Sequence, residues 1–232
     1  MRLDKYIKHA LCLSRSEAND LIKKGSVLVN NQVKKSDYDV KDDDLVTFNN
    51  KTVEYKEFYY YMLNKPSGYV SSTTSHNGIP VTSLIKERND LVPVGRLDKD
   101  TEGLLILTND GSLVHHLTSP KHNIEKKYYV NTQKNITLDD VKSFEEGIVI
   151  NIDGSTYKCL PSKLDIISSS EAYVNIKEGK FHQVKEMFKA TCNKVLYLKR
   201  VKEGSLELDE SLKVGEYREL SEDEINCLKS VK

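Results

Sequence analysis

The chain has 232 residues, 38% apolar and 30% charged, which suits a globular protein of one large or two smaller domains. No apolar run nears the roughly 20 residues of a membrane helix, and charges interrupt the N-terminus where a signal-peptide core would sit, so a cytoplasmic protein with no membrane partner is expected. The formal net charge of zero argues mildly against a nucleic-acid partner, yet residues 1–35 carry eight Lys/Arg against three Asp/Glu, and residues 177–202 carry eight against two. Two such basic patches suggest an anionic partner touching two places. The four cysteines are far apart, without C-x-x-C pairs or histidines at ligand spacing, so no metal site is expected. No glycine-rich nucleotide motif occurs, so no nucleotide cofactor is expected.

In chain order, Leu3, Ile7, Ala10 and Leu11 share one helical face. Ser14 to Glu17 spell a capping box, predicting a second helix that Gly25 ends. Val27 to Val29 read as a strand, Asn30-Asn31 as a tight hairpin turn into Val33, and Val40 to Phe48 as a last short strand. DNA binding by a bare helix-turn-helix competes, but the strands directly after the second helix disfavour it. Residues 49–58 are polar and aperiodic and read as a linker. RLDKYI, SRSEANDLIKKGSVLVNNQ and the strand to Phe48 resemble an S4 RNA-binding domain over residues 1–48. The resemblance implies that Arg2, Lys5, Arg15, Lys23 and Lys24 face RNA phosphates, contacts that need charge more than precise geometry.

The next part opens on an aromatic-rich strand, Phe58 to Leu63, and Lys65-Pro66-Ser67-Gly68 turns it into Tyr69 to Ser72. Residues 92–111 hold a charged loop between two apolar runs, offering Asp98, Asp100 and Arg96. Spacing alone does not choose between the carboxylates, and a plain solvated loop is the competing reading. His115 and His116 are adjacent, so they cannot share a helical face as metal ligands would. EKKYYV reads as a strand in which Tyr128 serves as core, stacking platform or proton donor. Thr137 to Asp140 cap a helix to Gly147, and residues 148–167 alternate as a strand pair around Asp153-Gly154. In AYVNIKEGKFHQVKEMF a strand turns at Glu178-Gly179, and Phe181, Val184, Met187 and Phe188 then fall at helical spacing. Lys180, His182, Gln183 and Lys185 sit at that helix's start, where an anion can be held. Ser221 to Glu224 cap a last helix.

GRLDKDTEGLLILTNDG, EKKYYV and EGKFHQVKEMF, in this order, resemble the motifs of pseudouridine synthases, and the S4 unit narrows the likeness to the ribosomal small-subunit synthase A-like branch. The implied fold is α+β: a small S4 domain, then a catalytic domain over 59–232 on a mostly antiparallel mixed sheet. The implied roles are Asp98 as catalytic aspartate, Asp100 as support, Arg96 as the residue that displaces the target base, Tyr128 as active-site tyrosine and Lys185 as the cation paired with Asp98. His182 and Gln183 would contact RNA. Glu186 departs from the family, where another basic residue is common. The implied reaction breaks the C1′–N1 bond of uridine, rotates the uracil and joins C1′ to C5. It has no net redox change, so no cofactor is expected. Whether Asp98 attacks C1′ or removes a C2′ proton stays open. The implied partner is ribosomal RNA or an assembling small ribosomal subunit, met by a monomer, with one uridine of 16S rRNA as target. A large-subunit uridine, a non-catalytic ribosome-assembly factor and an aspartate-based hydrolase are the rivals.

Overall fold

The computed structural model describes residues 1–230; the last two residues of the expected catalytic domain lie outside the described residues. The chain divides into two compact units, one of Met1–Tyr59 with Lys86–Asp90, the other of Tyr60–Ile85 with the chain from Leu91 on.

In the first unit, α1 (Leu3–Ala10) and α2 (Arg15–Lys23) pack on a small antiparallel sheet of β1 (Val27–Val29), β2 (Val46–Phe48) and β3 (Lys51–Thr52), in that order. Leu3, Ile7, Ala18, Ile22, Val27 and Val46 form its core. The Ser14 hydroxyl accepts from the Glu17 amide at 3.2 Å, and the Glu17 carboxylate accepts from the Ser14 amide at 2.8 Å. That closes the capping box, worth about 1 kcal/mol. Two expectations change. Asn30 and Asn31 do adopt φ of 51° and 61°, but beyond them lies only a bridge at Gln32, and β1 pairs with β2. Residues 49–58 are not wholly linker: Asn49 and Asn50, at φ of 47° and 63°, close a second tight turn from β2 into β3. Val53, just beyond, is buried in the same core.

The second unit is built from β4 (Tyr60–Lys65), β5 (Tyr69–Val70), β6 (Ile79–Pro80), β7 (Val92–Pro93), β8 (Glu102–Thr108), α3 (Gly111–Thr118), β9 (Lys126–Thr132) and α4 (Leu138–Glu146). It continues with β10 (Val149–Ile152), β11 (Ser155–Lys158), β12 (Lys163–Ile166), β13 (Glu171–Ile176), α5 (Gln183–Ala190), β14 (Val195–Glu203), β15 (Leu206–Glu207), β16 (Tyr217–Glu219) and α6 (Glu222–Ser230). The central sheet runs β12-β13-β9-β14-β8-β4-β16, with β7 and β15 on its flanks. Among the described residues its one parallel pairing joins β8 to β14. β4 is buried throughout and β8 nearly so, which is why both read as continuous apolar runs; β9 and β13 bury alternate residues. The expected strand pair over 148–167 splits: β10 and β11 form a hairpin at Asp153-Gly154, while β12 joins the central sheet. No helix among the described residues is long and apolar enough to cross a membrane.

The parallel contact between β8 and β14 is close because of Gly103. At φ 101°, a Cβ there would lie 2.8 Å from the Arg200 amide nitrogen and nearer still to its carbonyl oxygen. Only glycine allows this approach.

Candidate active site

Loop 95–101, between β7 and β8, is gripped through its backbone. Lys65, at the end of β4, is fully buried, and its ammonium donates to the carbonyls of Thr101 (2.8 Å), Asp98 (3.1 Å), Pro66 (3.1 Å) and Lys99 (3.3 Å). The Ser71 hydroxyl donates to the Leu97 carbonyl at 2.9 Å and accepts from the Leu97 amide at 3.0 Å. The Gly68 amide donates to the Lys99 carbonyl at 2.7 Å, and within the loop the Thr101 amide donates to the Asp98 carbonyl at 3.1 Å. A polar loop is thereby made rigid, as positioning a reactive side chain requires. Burial pulls the Lys65 ammonium down to about 8, partly opposed by the charges of Asp100, Asp98 and Glu102. Neither Lys65 nor Ser71 was expected at the site. In the sequence, Lys65 to Gly68 read as a turn, and the flanking NKPSGYVSS fell within the family likeness with no role attached to either residue.

The loop forms one wall of a cavity of about 450 Å³, of a size that suits a small ligand. Arg96, Asp98, Tyr128, His182 and Gln183 all line it. Lys185, in the first turn of α5, closes the group: its ammonium lies 2.8 Å from Asp98 and 2.6 Å from Asp100. Asp98 is about a quarter exposed, whereas Asp100 is 72% exposed, so burial separates the two carboxylates that spacing left equivalent. Burial alone would lower the Lys185 pKa, but its bonds to Asp100 and Asp98 outweigh this and raise it. Burial likewise works to raise the Asp100 carboxyl, yet Lys185 holds it below its usual value. Arg96 is exposed where it lines the cavity.

Tyr128, on β9, is 7% exposed, and burial pushes its phenol up against the opposing charge of Arg200. It therefore stays a phenol near neutral pH, able to stack or donate. Arg200 and Glu203 line the same cavity and are fully buried, 3.0 Å apart, with the Arg200 Nε donating to the Leu104 carbonyl at 2.8 Å. Residues three apart on a strand should face opposite ways. A register irregularity between Arg200 and Lys202 brings both to the buried face, which is why sequence reading missed the pair.

Other expectations are corrected. Gln183 is buried, and its amide is committed within the protein: the nitrogen donates to Glu178 at 2.7 Å and the oxygen accepts from the Lys180 amide at 2.9 Å. It shapes the turn into α5 with its amide already engaged. His182 has its Nε2 3.7 Å from Asp98, beyond hydrogen-bond range, with backbone in the left-handed region at φ 51°. Phe181 does not join the apolar face of α5; the helix starts two residues later and the ring is 62% exposed. The basic run 177–202 is not one patch, since Arg200 is buried against Glu203, Lys185 is held by the two aspartates, and Lys202 pairs with Glu207. Glu186, where the resemblance expects a cation, is paired with Lys189 at 3.1 Å.

In the first unit, Lys5, Lys23 and Lys24 are exposed. Arg2 and Arg15 converge on Asp4, which is 3% exposed, at 2.9 and 3.4 Å. The Arg2 hydrogen bond holds the Asp4 carboxyl below its usual range. Both guanidiniums remain more than half exposed, so one face of each stays open to solvent.

The family model described as RNA pseudouridylate synthase matches residues 59–190, and the S4 domain model matches residues 1–46. An RNA pseudouridine synthase of Bacillus subtilis is 41% identical, covering 98% of this chain and 98% of its own. The ribosomal small subunit pseudouridine synthase A of Vibrio cholerae is 41% identical, covering 97% of this chain and 98% of its own. A crystal structure of a pseudouridylate synthase superposes with a TM-score of 0.70 at 37% identity, over 98% of this chain and 99% of that one. The S4 fold, the mostly antiparallel mixed sheet and these likenesses lead to one conclusion: the chain belongs to the RNA pseudouridine synthases, isomerases of uridine in RNA, and carries an S4 domain ahead of the catalytic fold.

Proposed function

We propose that the chain converts one uridine of 16S rRNA to pseudouridine, with Asp98 as the catalytic carboxylate. The observation that carries the reading is Asp98 itself, on a loop whose backbone is tied down on both sides, ion-paired to Lys185 at 2.8 Å and lining a cavity with Tyr128. The choice of small-subunit RNA rests on the name of the Vibrio cholerae relative, 41% identical over nearly the whole chain.

Uridine must leave its stack to enter the cavity, at a cost of a few kcal/mol. Arg96, exposed beside Asp98, would take the vacated place, and Lys5, Lys23, Lys24, Arg2 and Arg15 would supply phosphate contacts that offset the cost. Lys185 orients the Asp98 carboxylate toward the sugar, where it attacks C1′ or takes the C2′ proton as the C1′–N1 bond breaks. The uracil turns and C5 bonds to C1′ as the Asp98–C1′ bond breaks or, on the other route, as Asp98 returns the proton to C2′. C5 then loses its proton and N1, freed from the sugar, takes one up, so the product is an isomer of the substrate. Tyr128 would stack on the uracil and keep it in place during the turn. The same reading has a cytoplasmic monomer acting on the assembling small subunit.

The test compares pseudouridine in 16S and 23S rRNA from cells with and without the protein, then treats the unmodified RNA with purified protein. One 16S uridine should lose its modification in the deletion strain and regain it in vitro. Asp98→Ala should bind the RNA with unchanged affinity and convert none. Conversion by Asp98→Ala would overturn the catalytic assignment, and a lost site in 23S rRNA would overturn the substrate.

A further inference from the structure

A second cavity, of about 730 Å³, lies in the second unit between α5 and the β10–β11 hairpin. Phe181 and His182 stand at it, and His182 also lines the cavity that holds Asp98. Their rings are stacked, with centroids 3.8 Å apart and planes at 22°. Phe181 is 62% exposed and Val149, in the same groove, 51%. One face of the Phe181 ring lies on His182, and the rest of this large aromatic side chain stands exposed beside the cavity that holds Asp98. His182 has a left-handed backbone, rare outside glycine, and α5 begins only after both rings.

We propose that this groove takes the base of a nucleotide directly adjacent to the target uridine, stacked on Phe181; this rests on the reading that Asp98 acts on that uridine. The neighbour is tethered to the flipped nucleotide by one phosphodiester, so it stays within reach of a groove that shares His182 with the cavity. The walls favour a base over a phosphate. Lys189 is neutralised by Glu186 at 3.1 Å, and Asp153 adds a negative charge that a phosphodiester would avoid. Asn151 and Thr156, also in the wall, have donors and acceptors suited to a base edge. Aromatic stacking of this kind is tolerant of base identity, so Phe181 would hold the strand while the wall residues tune preference.

The test uses the full chain and a synthetic fragment of 16S rRNA containing the converted uridine. Two further RNAs lack the base of the 5′ or of the 3′ neighbour, leaving an abasic sugar. Dissociation constants and single-turnover conversion rates are measured for wild type, Phe181→Ala and Phe181→Tyr. On intact RNA, Phe181→Ala should bind between about 5-fold and about 150-fold more weakly. Its conversion rate at saturating RNA should change much less, and Phe181→Tyr should restore binding. One abasic RNA should cost wild type a similar factor and cost Phe181→Ala almost nothing more, because both changes remove the same contact. Equal abasic penalties in wild type and Phe181→Ala for both RNAs would overturn the proposal, as would wild-type affinity in Phe181→Ala. A lower melting temperature shared by both variants would mark Phe181 as structural and overturn it too. If wild type converts none of the RNA, the assignment of the reaction fails, while the binding comparison still decides the stacking.

Discussion

Replacing Lys65 with methionine separates stability from catalysis in this fold. The fully buried ammonium is held down to about 8 from an ordinary 10.5, which corresponds to about 3 kcal/mol against the charged form. Methionine relieves that cost but takes the ammonium away from four carbonyl oxygens, of which those of Asp98 and Lys99 keep a backbone amide as partner. The bond to Thr101 is fully buried and those to Pro66, Asp98 and Lys99 only partly so. At about 2 kcal/mol for the first and about 1 kcal/mol for each of the others, the loss is about 5 kcal/mol, for a net destabilisation of about 2 kcal/mol. The loop that carries Asp98 then loses one of its anchors, keeping those from Ser71 and Gly68, and a displacement of about 1 Å at a reactive group costs about 100-fold in rate. Urea unfolding and single-turnover conversion measured side by side check both numbers. A variant destabilised by about 2 kcal/mol that keeps its rate within a few-fold would refute the claim that Lys65 positions Asp98. The same group sets a pH dependence. Between about 8 and 10.5 the unfolded chain holds the proton more often than the folded one, so the contribution of Lys65 to stability rises with pH in that window. A neutral amine offers only two hydrogens to four carbonyls, so conversion should fall above about pH 8 in wild type, and that inflection should be missing in Lys65→Met.

Lys185→Met leaves Asp98 and Asp100 as unshielded like charges, and conversion should fall about 100-fold, or about 2.7 kcal/mol, with RNA affinity nearly unchanged; an unchanged single-turnover rate would contradict the pairing. Gly103→Ala forces a Cβ against the Arg200 backbone at positive φ, and urea titration should show a loss of about 3 kcal/mol or more. Lys23→Ala with Lys24→Ala should lower the slope of log affinity against log salt by up to about 2 for duplex-like contacts, read by filter binding from low to moderate salt. Asp209, held down to about 2 first by Ser211 and then by Arg218, contributes stability that is present above its unfolded value of 3.8 and lost as pH falls through about 2. Arg218→Ala should shift part of that acid loss upward, seen as earlier unfolding in an acid titration.

Features that depend on a few neighbouring residues were legible in the sequence. The capping box at Ser14 and the helix cap at Thr137 form as read, the latter closing a box with Asp140, because both partners lie within one turn. The loop carrying Asp98 was legible for its length and charge, although the choice of Asp98 over Asp100 came from family resemblance and only later found support in burial. Asn49-Asn50 carried the same turn signal as Asn30-Asn31 and was passed over inside a polar stretch. Phe181 misled because spacing of three and four suggests a helix face even when the helix starts later, and the positive φ of His182 leaves no mark in a residue string. Lys65 was beyond local reasoning. Its burial follows from β4 pairing with β8, which brings it beneath a loop more than thirty residues away in sequence.

The parallel pairing of β8 with β14 also has a consequence for the newly made chain. β14 is inserted between β9 and β8, so the sheet under Asp98 has a gap until residues near Glu203 have been synthesised. Lys185 and Tyr128 cannot be fixed around Asp98 before then. The core of the first unit is instead drawn from residues 3–53. At about 5–20 residues per second, that core is complete about 7 to about 30 seconds ahead of the catalytic sheet. If the first unit holds RNA as proposed, a nascent chain acquires that means of holding RNA before it has any means of changing it, and a message truncated before β14 would yield a competitor for the substrate and not a weak enzyme.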